Sequence, residues 1–383
     1  MRPLFDANLA LFVALATMGS PALAQTAQRA DADAPSDVVL MAPSAQAICD
    51  GRLVTPLYAE VLPPRLQGSS ARGQGIDTVE TTFSIDPEGR PIGIGAPVST
   101  PDPSGGVVIV GRRVSPDDGI QASLAAWRFD GPAGDCRLEV KFTPQSVSQA
   151  PTETLLAYYA VTRTTGAPRD LVQRRLAGSE SNCDDEARRA RPQRLIAVPD
   201  FRIGSTLPGG YGWTVVRWDV DEDGRSLNVE TLGSSGDDAF DVETRRAVAE
   251  TVLHPGPPLK GCVYNFYRYG GLLQAPERPP TPDDPLKSCP AEINDRYSPR
   301  ANLTFPELFR RRSIEGWALI RFDLATWGQV GNVAVVEAQP AHIFGREALA
   351  IISGGRAEPG FTPGVRCTIP VRFALPDEAR PTP

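Results

Sequence analysis

The sequence predicts an α+β protein of three tandem small domains, each carrying one disulfide. Three observations lead there. The six cysteines fall at similar spacings: Cys49 and Cys136 are 87 residues apart, Cys183 and Cys262 are 79, and Cys289 and Cys367 are 78. A glycine turn at Gly89, Gly224 or Gly328 lies 40, 41 or 39 residues after the first cysteine of each pair. Around each glycine the same patterns recur in order: strand, turn, strand, helix, closing strand. Such self-similarity is read first, because a repeated unit dictates the architecture.

Each element has a local cause. In the second repeat Val216, Trp218 and Val220 alternate with Arg217 and Asp219, the period of a strand with one buried face. Asp221 to Gly224 follows, and glycine supplies the positive φ of a tight hairpin. Ser226 to Leu232 completes the hairpin, Phe240 to Leu253 has helical spacing, and Cys262 to Tyr269 closes the unit. In the third repeat Ala318, Ile320, Phe322 and Leu324 alternate before Gly328. Asn332 to Glu337 is the return strand, Phe344 to Ile352 a helix, and Cys367 to Leu375 the closing strand. The first repeat is the most diverged, running from Thr81, Phe83 and Ile85 to Gly89, with Pro97 and Pro101 to Pro103 interrupting its return strand. Cys136, Leu138, Val140 and Phe142 share a face, so the second cysteine points coreward. Its partner falls in a stretch long enough for a leading helix. Six cysteines allow 15 connectivities. The recurring spacing points to pairing within each repeat, and pairing across repeats is the competing arrangement. One crosslink contributes on the order of 2–4 kcal/mol, a large share for a small core.

The chain divides accordingly. Residues 1–24 read as a signal peptide, with Met1-Arg2, a short apolar run and an exit at Ala22-Leu23-Ala24. The alternative is an uncleaved inner-membrane anchor, but a span needs about 20 apolar residues, and Asp6, Asn8 and Thr17 crowd this stretch. Export to the periplasm makes an even cysteine count meaningful as disulfides. Residues 25–48 read as a flexible leader, 49–146 as the first domain, 147–182 as a connector, and 183–270 as the second domain. Residues 271–288 form a Pro-rich, extended linker, 289–376 the third domain, and 377–383 a tail. Within the connector, Leu155 to Thr165 reads as an extra strand and Pro168 to Leu176 as a helix.

Composition excludes some functions. A net charge of −7 lacks the basic footprint of a nucleic-acid binder. Catalysis finds no support: His254 and His342 are the only histidines, and no nucleophile-elbow pattern is present. No cofactor, metal or small-molecule substrate is inferred. Asp219, Asp221, Asp223 and Glu230 sit at calcium-loop offsets, yet their flanks alternate as strands, so an acidic hairpin turn is the simpler reading. Arg310 to Arg312 reads as a solvated helix face, and the aromatic run Tyr264 to Tyr269 as strand packing.

The stretch Ser313 to Asp323, with Gly328 to Phe344, Ala357-Glu358-Pro359 and Gly364 to Leu375, resembles the carboxy-terminal domain of the TonB energy-transducer family. Gly212-Trp213, Asp221 to Arg225, Phe240-Asp241 and His254-Pro255 extend the resemblance to the second repeat, and Asp86 to Arg90 with Ala126 to Phe129 to the first. The resemblance implies a three-stranded antiparallel sheet with helices on one face. It also implies a periplasmic domain that captures an extended peptide of outer-membrane transporters by strand addition. The expected partner-binding edge is Thr368, Pro370 and Arg372 in the third repeat, with Val263, Asn265 and Tyr267 in the second. Pro370 suits an edge strand. Partners are then envelope proteins, outer-membrane transporters among them, and free edges also allow self-association. The histidine-bearing amino-terminal helix and long spacer of family transducers have no counterpart here. A structural envelope protein holding cell wall or a protein complex is the alternative function.

Overall fold

The computed structural model describes residues 38–66, 77–100, 119–162, 166–278, 304–360 and 365–376, with residues 289, 293 and 297–298. The signal peptide, the tail and residues 279–288 of the linker lie outside the described residues. The fold is mixed α+β, with several small antiparallel sheets. Its three disulfides are Cys49–Cys136, Cys183–Cys262 and Cys289–Cys367, the pairing within each segment.

The second and third segments carry the same sheet. A central strand, Tyr211–Val220 or Gly316–Leu324, is flanked by a return strand, Ser226–Ser234 or Val330–Gln339. On the other side lies a closing strand, Leu259–Tyr269 or Val365–Phe373. Helix Asp238–Glu250 or His342–Gly354 connects return and closing strands and buries Phe240 and Val248, or Phe344 and Ile352, against the sheet. The hairpin turns are built alike in all three segments. Gly89, Gly224 and Gly328 have φ of 76°, 89° and 84°. Their carbonyls accept from Phe129, Leu253 and Ala357 N–H at 2.9, 2.8 and 2.9 Å. That bond ties each turn to the chain just after the helix, where Tyr58 pairs with Arg128, Gln193–Leu195 with Val252–Leu253, and Tyr297–Ser298 with Arg356–Ala357.

The first segment departs from this plan, and from expectation. Residues 39–48, read as part of a flexible leader, begin a strand, Val39–Cys49, rather than coil or the expected leading helix. It pairs antiparallel with closing strand Ala133–Ser146 from Val39 opposite Ser146 to Cys49 opposite Cys136. The cause lies in Leu40, Ala47 and Cys49, whose buried side chains gain a core that the Ala- and Pro-bearing sequence concealed. Along its other edge this strand pairs with Arg52–Val54 and Arg65–Leu66.

The connector is helical, at Thr152–Val161 and Ala167–Ala177. The first of these was expected as a strand. It is buried from Leu155 to Ala160 on every side, so it lacks the one-sided 3.6-residue period that reveals a surface helix. Its Tyr158 and Tyr159 share a core with Leu40 of the first strand, with Val147 at the start of the connector, and with Trp213, Val215 and Val263 of the second segment.

The segments are not beads on linkers. Phe142 and Leu138 of the first segment lie in one continuous core with Ile320, Phe344 and Phe373 of the third. Ile94 N–H donates to Pro340 O at 2.8 Å, and His342 N–H to Ile94 O at 2.7 Å. Linker residue Leu273 is buried and exchanges backbone bonds with Ser313 and Glu315, and Trp317 Nε1 donates to Pro276 O at 2.8 Å. The described part of the linker is therefore docked on the third segment.

Candidate functional site

The edge strands are where extended chain can be bound, because an edge leaves a row of backbone donors and acceptors unpaired. The three closing strands meet different fates at that edge. In the first segment it is filled by the chain's own strand Val39–Cys49. In the second it is covered by side chains. Val263 O accepts from Tyr159 Oη at 3.2 Å and Arg188 Nη1 at 3.4 Å, and Asn265 Oδ1 accepts from Arg169 Nη2 at 2.7 Å. Ser181 Oγ donates to Lys260 O at 3.0 Å, and Lys260 N–H donates to Asn182 Oδ1 at 2.7 Å. Val263 and Asn265 are thus engaged by the connector, while Tyr267 stacks on Tyr211 with ring centroids 5.5 Å apart.

In the third segment, closing strand Val365–Phe373 pairs with Gly316–Leu324 on one side, and among the described residues no strand pairs with the other. Thr368 is half-buried, and Pro370 and Arg372 are exposed. Cys367, Phe373 and Val365 point into the core, where Phe373 meets Phe344 and Phe305 edge-on at 5.1 and 5.9 Å. This strand is anchored by its apolar face and by Arg366 Nε donating to Asp323 Oδ1 at 2.9 Å. Arg366 and Asn332 hold the Asp323 carboxyl below the usual carboxylate range.

Residues 301–375 match the protein family described as Gram-negative bacterial TonB protein C-terminal. This third segment is a TonB-type carboxy-terminal domain. The chain is similar to the protein TonB of Klebsiella pneumoniae, 29% identical over 85 residues, covering 22% of this chain and 35% of that protein. Protein TonB of Klebsiella aerogenes is 30% identical over 76 residues, 20% of this chain and 31% of that protein. The chain therefore spans about a third of the curated relatives it matches. The TonB-type domain coincides with the segment whose closing edge has no strand partner among the described residues.

One junction that binds the TonB-type domain to the others was missed in the sequence. Arg310 and Arg311 do form a solvated face, paired with Glu307. Arg312, read with them, is buried and points inward. It pairs with Glu60 of the first segment, and its Nη2 donates to Ser123 Oγ at 3.1 Å. Its Nη1 also reaches Gly209 O at 3.4 Å, and Tyr211 N–H donates to Glu60 Oε1 at 2.6 Å. Burial pushes the Glu60 carboxyl up, against the pull of Arg312 and the Tyr211 N–H. A run of three arginines gives no signal of which one crosses a core. Only the isolated carboxylate Glu60, set among Leu57, Val61 and Leu62, hinted at a buried partner.

The acidic turn of the second segment spends its carboxylates separately. Asp219 accepts from Asn228 Nδ2 and Gly261 N–H, Asp221 from Arg225 N–H, and Glu230 from Arg217.

Proposed function

We propose that the chain is a periplasmic protein-binding adaptor whose TonB-type domain captures an extended peptide by adding it as a strand to Val365–Phe373. The observation that carries this reading is the contrast among the three closing edges. The chain itself lays an antiparallel strand on the closing strand of its first segment, so the geometry of strand addition is one this scaffold accommodates. The second edge is engaged by Tyr159, Arg169 and Arg188. We further propose that the first two segments are diverged copies of the TonB-type unit that have become a scaffold for the third. The partner class is the amino-terminal segments of outer-membrane transporters, delivered to a chain exported through its signal peptide.

The test is a titration of the mature protein, disulfides intact, with amino-terminal peptides of the host's outer-membrane transporters. Saturable binding that is lost when Val365–Phe373 is altered, and kept when Leu259–Tyr269 is altered, is the expected result. No binding at about 1 mM peptide sinks the adaptor reading in favour of a structural envelope protein.

Pro370 sharpens the test. Proline lacks the N–H that an incoming strand would use, which blunts an edge against promiscuous pairing. Pro370→Val is expected to increase concentration-dependent self-association in sedimentation velocity and to tighten peptide binding about fivefold, the size of one added hydrogen bond. Unchanged sedimentation and affinity would remove Pro370 from the binding edge.

A further inference from the structure

The second segment holds a cavity where helix Asp238–Glu250 meets its sheet, away from any sheet edge. It measures 610 Å³, and its walls include Trp218, Val248, Tyr264, Phe266, Ile196 and Val198. Pockets of about 300–1,000 Å³ with mainly apolar and aromatic walls are the usual form of small-ligand sites. Tyr264 is 46% exposed and Ile196 and Val198 are exposed, so the aromatic run read as strand packing is only partly covered.

Comparison with the third segment explains why space is left here. Phe322 lies opposite Cys367 as Trp218 lies opposite Cys262. In the third segment Tyr297 pairs with Ala357 and closes this place. Its ring lies 6.1 Å from Phe322, and its hydroxyl donates to Ile352 O at 2.9 Å. In the second segment Gln193 pairs with Leu253 in the corresponding position. Gln193 is exposed, and Trp218 is only half-buried where Phe322 is fully buried. The same scaffold is thus plugged by an aromatic ring in one segment and open in the other.

The charge of the lining is one-sided. Arg188, Arg189 and Arg191 contribute to it and no Asp or Glu does, in a chain whose net charge is −7. Arg191 is 5% exposed. Its guanidinium donates to the carbonyls of His254 at 2.9 Å, Pro257 at 2.6 Å and Asp221 at 3.0 Å. Arg189 is exposed on helix Asp185–Ala190. Among the described residues neither Arg189 nor Arg191 has a carboxylate partner. A buried cation without a counter-charge favours an anion beside it. The other polar side chains of the lining are Gln193 and Thr251, and the Thr251 hydroxyl is already bonded to Ala197 and Ala247. Recognition therefore falls to apolar contact and to the arginines, which complement an apolar body with an anionic head. A flexible alkyl chain fits between rings and branched aliphatic side chains, and the volume suits one chain rather than the two of a phospholipid.

We infer that this cavity binds a single-chain fatty acid, its alkyl chain against Trp218, Tyr264 and Phe266 and its carboxylate facing Arg189. The cavity shares no residue with Val365–Phe373, so failure here leaves the strand-addition reading untouched.

The probe is sodium decanoate, titrated into the full mature chain with calorimetry as readout. Saturation below about 1 mM is expected. From octanoate to decanoate, binding should tighten about fourfold for each added methylene. Arg189→Glu, an exposed change, should weaken decanoate binding about fivefold at low salt and leave 1-octanol binding unchanged. Gln193→Tyr supplies the ring that Tyr297 supplies in the third segment, and should weaken both ligands by more than about tenfold. Circular dichroism melting checks that both variants are folded. No saturation in the native chain, or an affinity indifferent to chain length, overturns the assignment. So does decanoate binding that Arg189→Glu or a folded Gln193→Tyr leaves unchanged, since the fatty acid would then be adsorbed elsewhere. A concentration-dependent dimer of the native chain that Arg189→Glu dissolves also overturns it, because the occupant would be a second copy.

Discussion

Replacing Arg312 with alanine is expected to destabilise the protein by about 3–5 kcal/mol, the cost of stranding one member of a buried ion pair. Glu60 would remain buried, held by the Tyr211 N–H and the Tyr58 hydroxyl but without its paired cation. Ser123 Oγ and the Gly209 carbonyl would lose their shared cation as well. Lysine is not expected to rescue, because a single ammonium on a flexible stem cannot reach carboxylate, hydroxyl and carbonyl together as the planar guanidinium does. Glu60→Ala should cost a similar amount, and the double variant should cost less than the two singles added. The consequence for architecture is the more telling part. Glu60 and Ser123 belong to the first segment, Gly209 and Tyr211 to the second, and Arg312 to the third. Guanidinium unfolding followed by fluorescence and circular dichroism should give coincident transitions for the native chain and separated ones for Arg312→Ala. Coincident transitions with a loss under about 1 kcal/mol would mean that the shared core alone unites the segments.

That junction shows where the sequence was legible and where it was not. Period-two strands, glycine turns and cysteine spacing are local or evenly repeated, so the sheets of the second and third segments could be read along the chain. Strand Val39–Cys49 could not. Its partner begins about 90 residues later, and β propensity follows burial more than composition. Helix Thr152–Val161 was hidden for the opposite reason, being apolar on every side. At the candidate site, Pro370 pointed to an edge, because proline carries its constraint with it. The engagement of Val263 and Asn265 did not show, since it depends on Tyr159, Arg169 and Arg188 arriving from elsewhere.

The turn glycines carry the other large expected effect. Gly328→Ala should cost about 2–5 kcal/mol, combining the left-handed backbone penalty of about 1–2 kcal/mol with an overpacking clash of about 1–3 kcal/mol. An added Cβ would lie 1.9 Å from Ala357 O, and that atom is backbone, so no rotamer change relieves it. Relief requires Arg356–Ala357 to shift, which breaks the Ala357 N–H bond to Gly328 O and disturbs the pairing with Tyr297–Ser298. Gly131→Ala supplies the control. It has nearly the same φ, +81° against +84°, but its Cβ would meet nothing within 4 Å. The difference between the two variants in denaturation midpoint isolates the clash from the strain. Hydrogen exchange should report it locally, with the Ala357 amide losing protection in Gly328→Ala and keeping it in Gly131→Ala. Gly224→Ala should behave like Gly328→Ala, because its Cβ would lie 2.0 Å from Leu253 O in the corresponding place. Equal penalties at Gly224 and Gly328, well above that at Gly131, would establish that one turn device is used in both segments. A Gly328→Ala penalty no greater than that of Gly131→Ala would show that the turn does not press on the chain after the helix, and the case for a shared building unit would lose its most specific support.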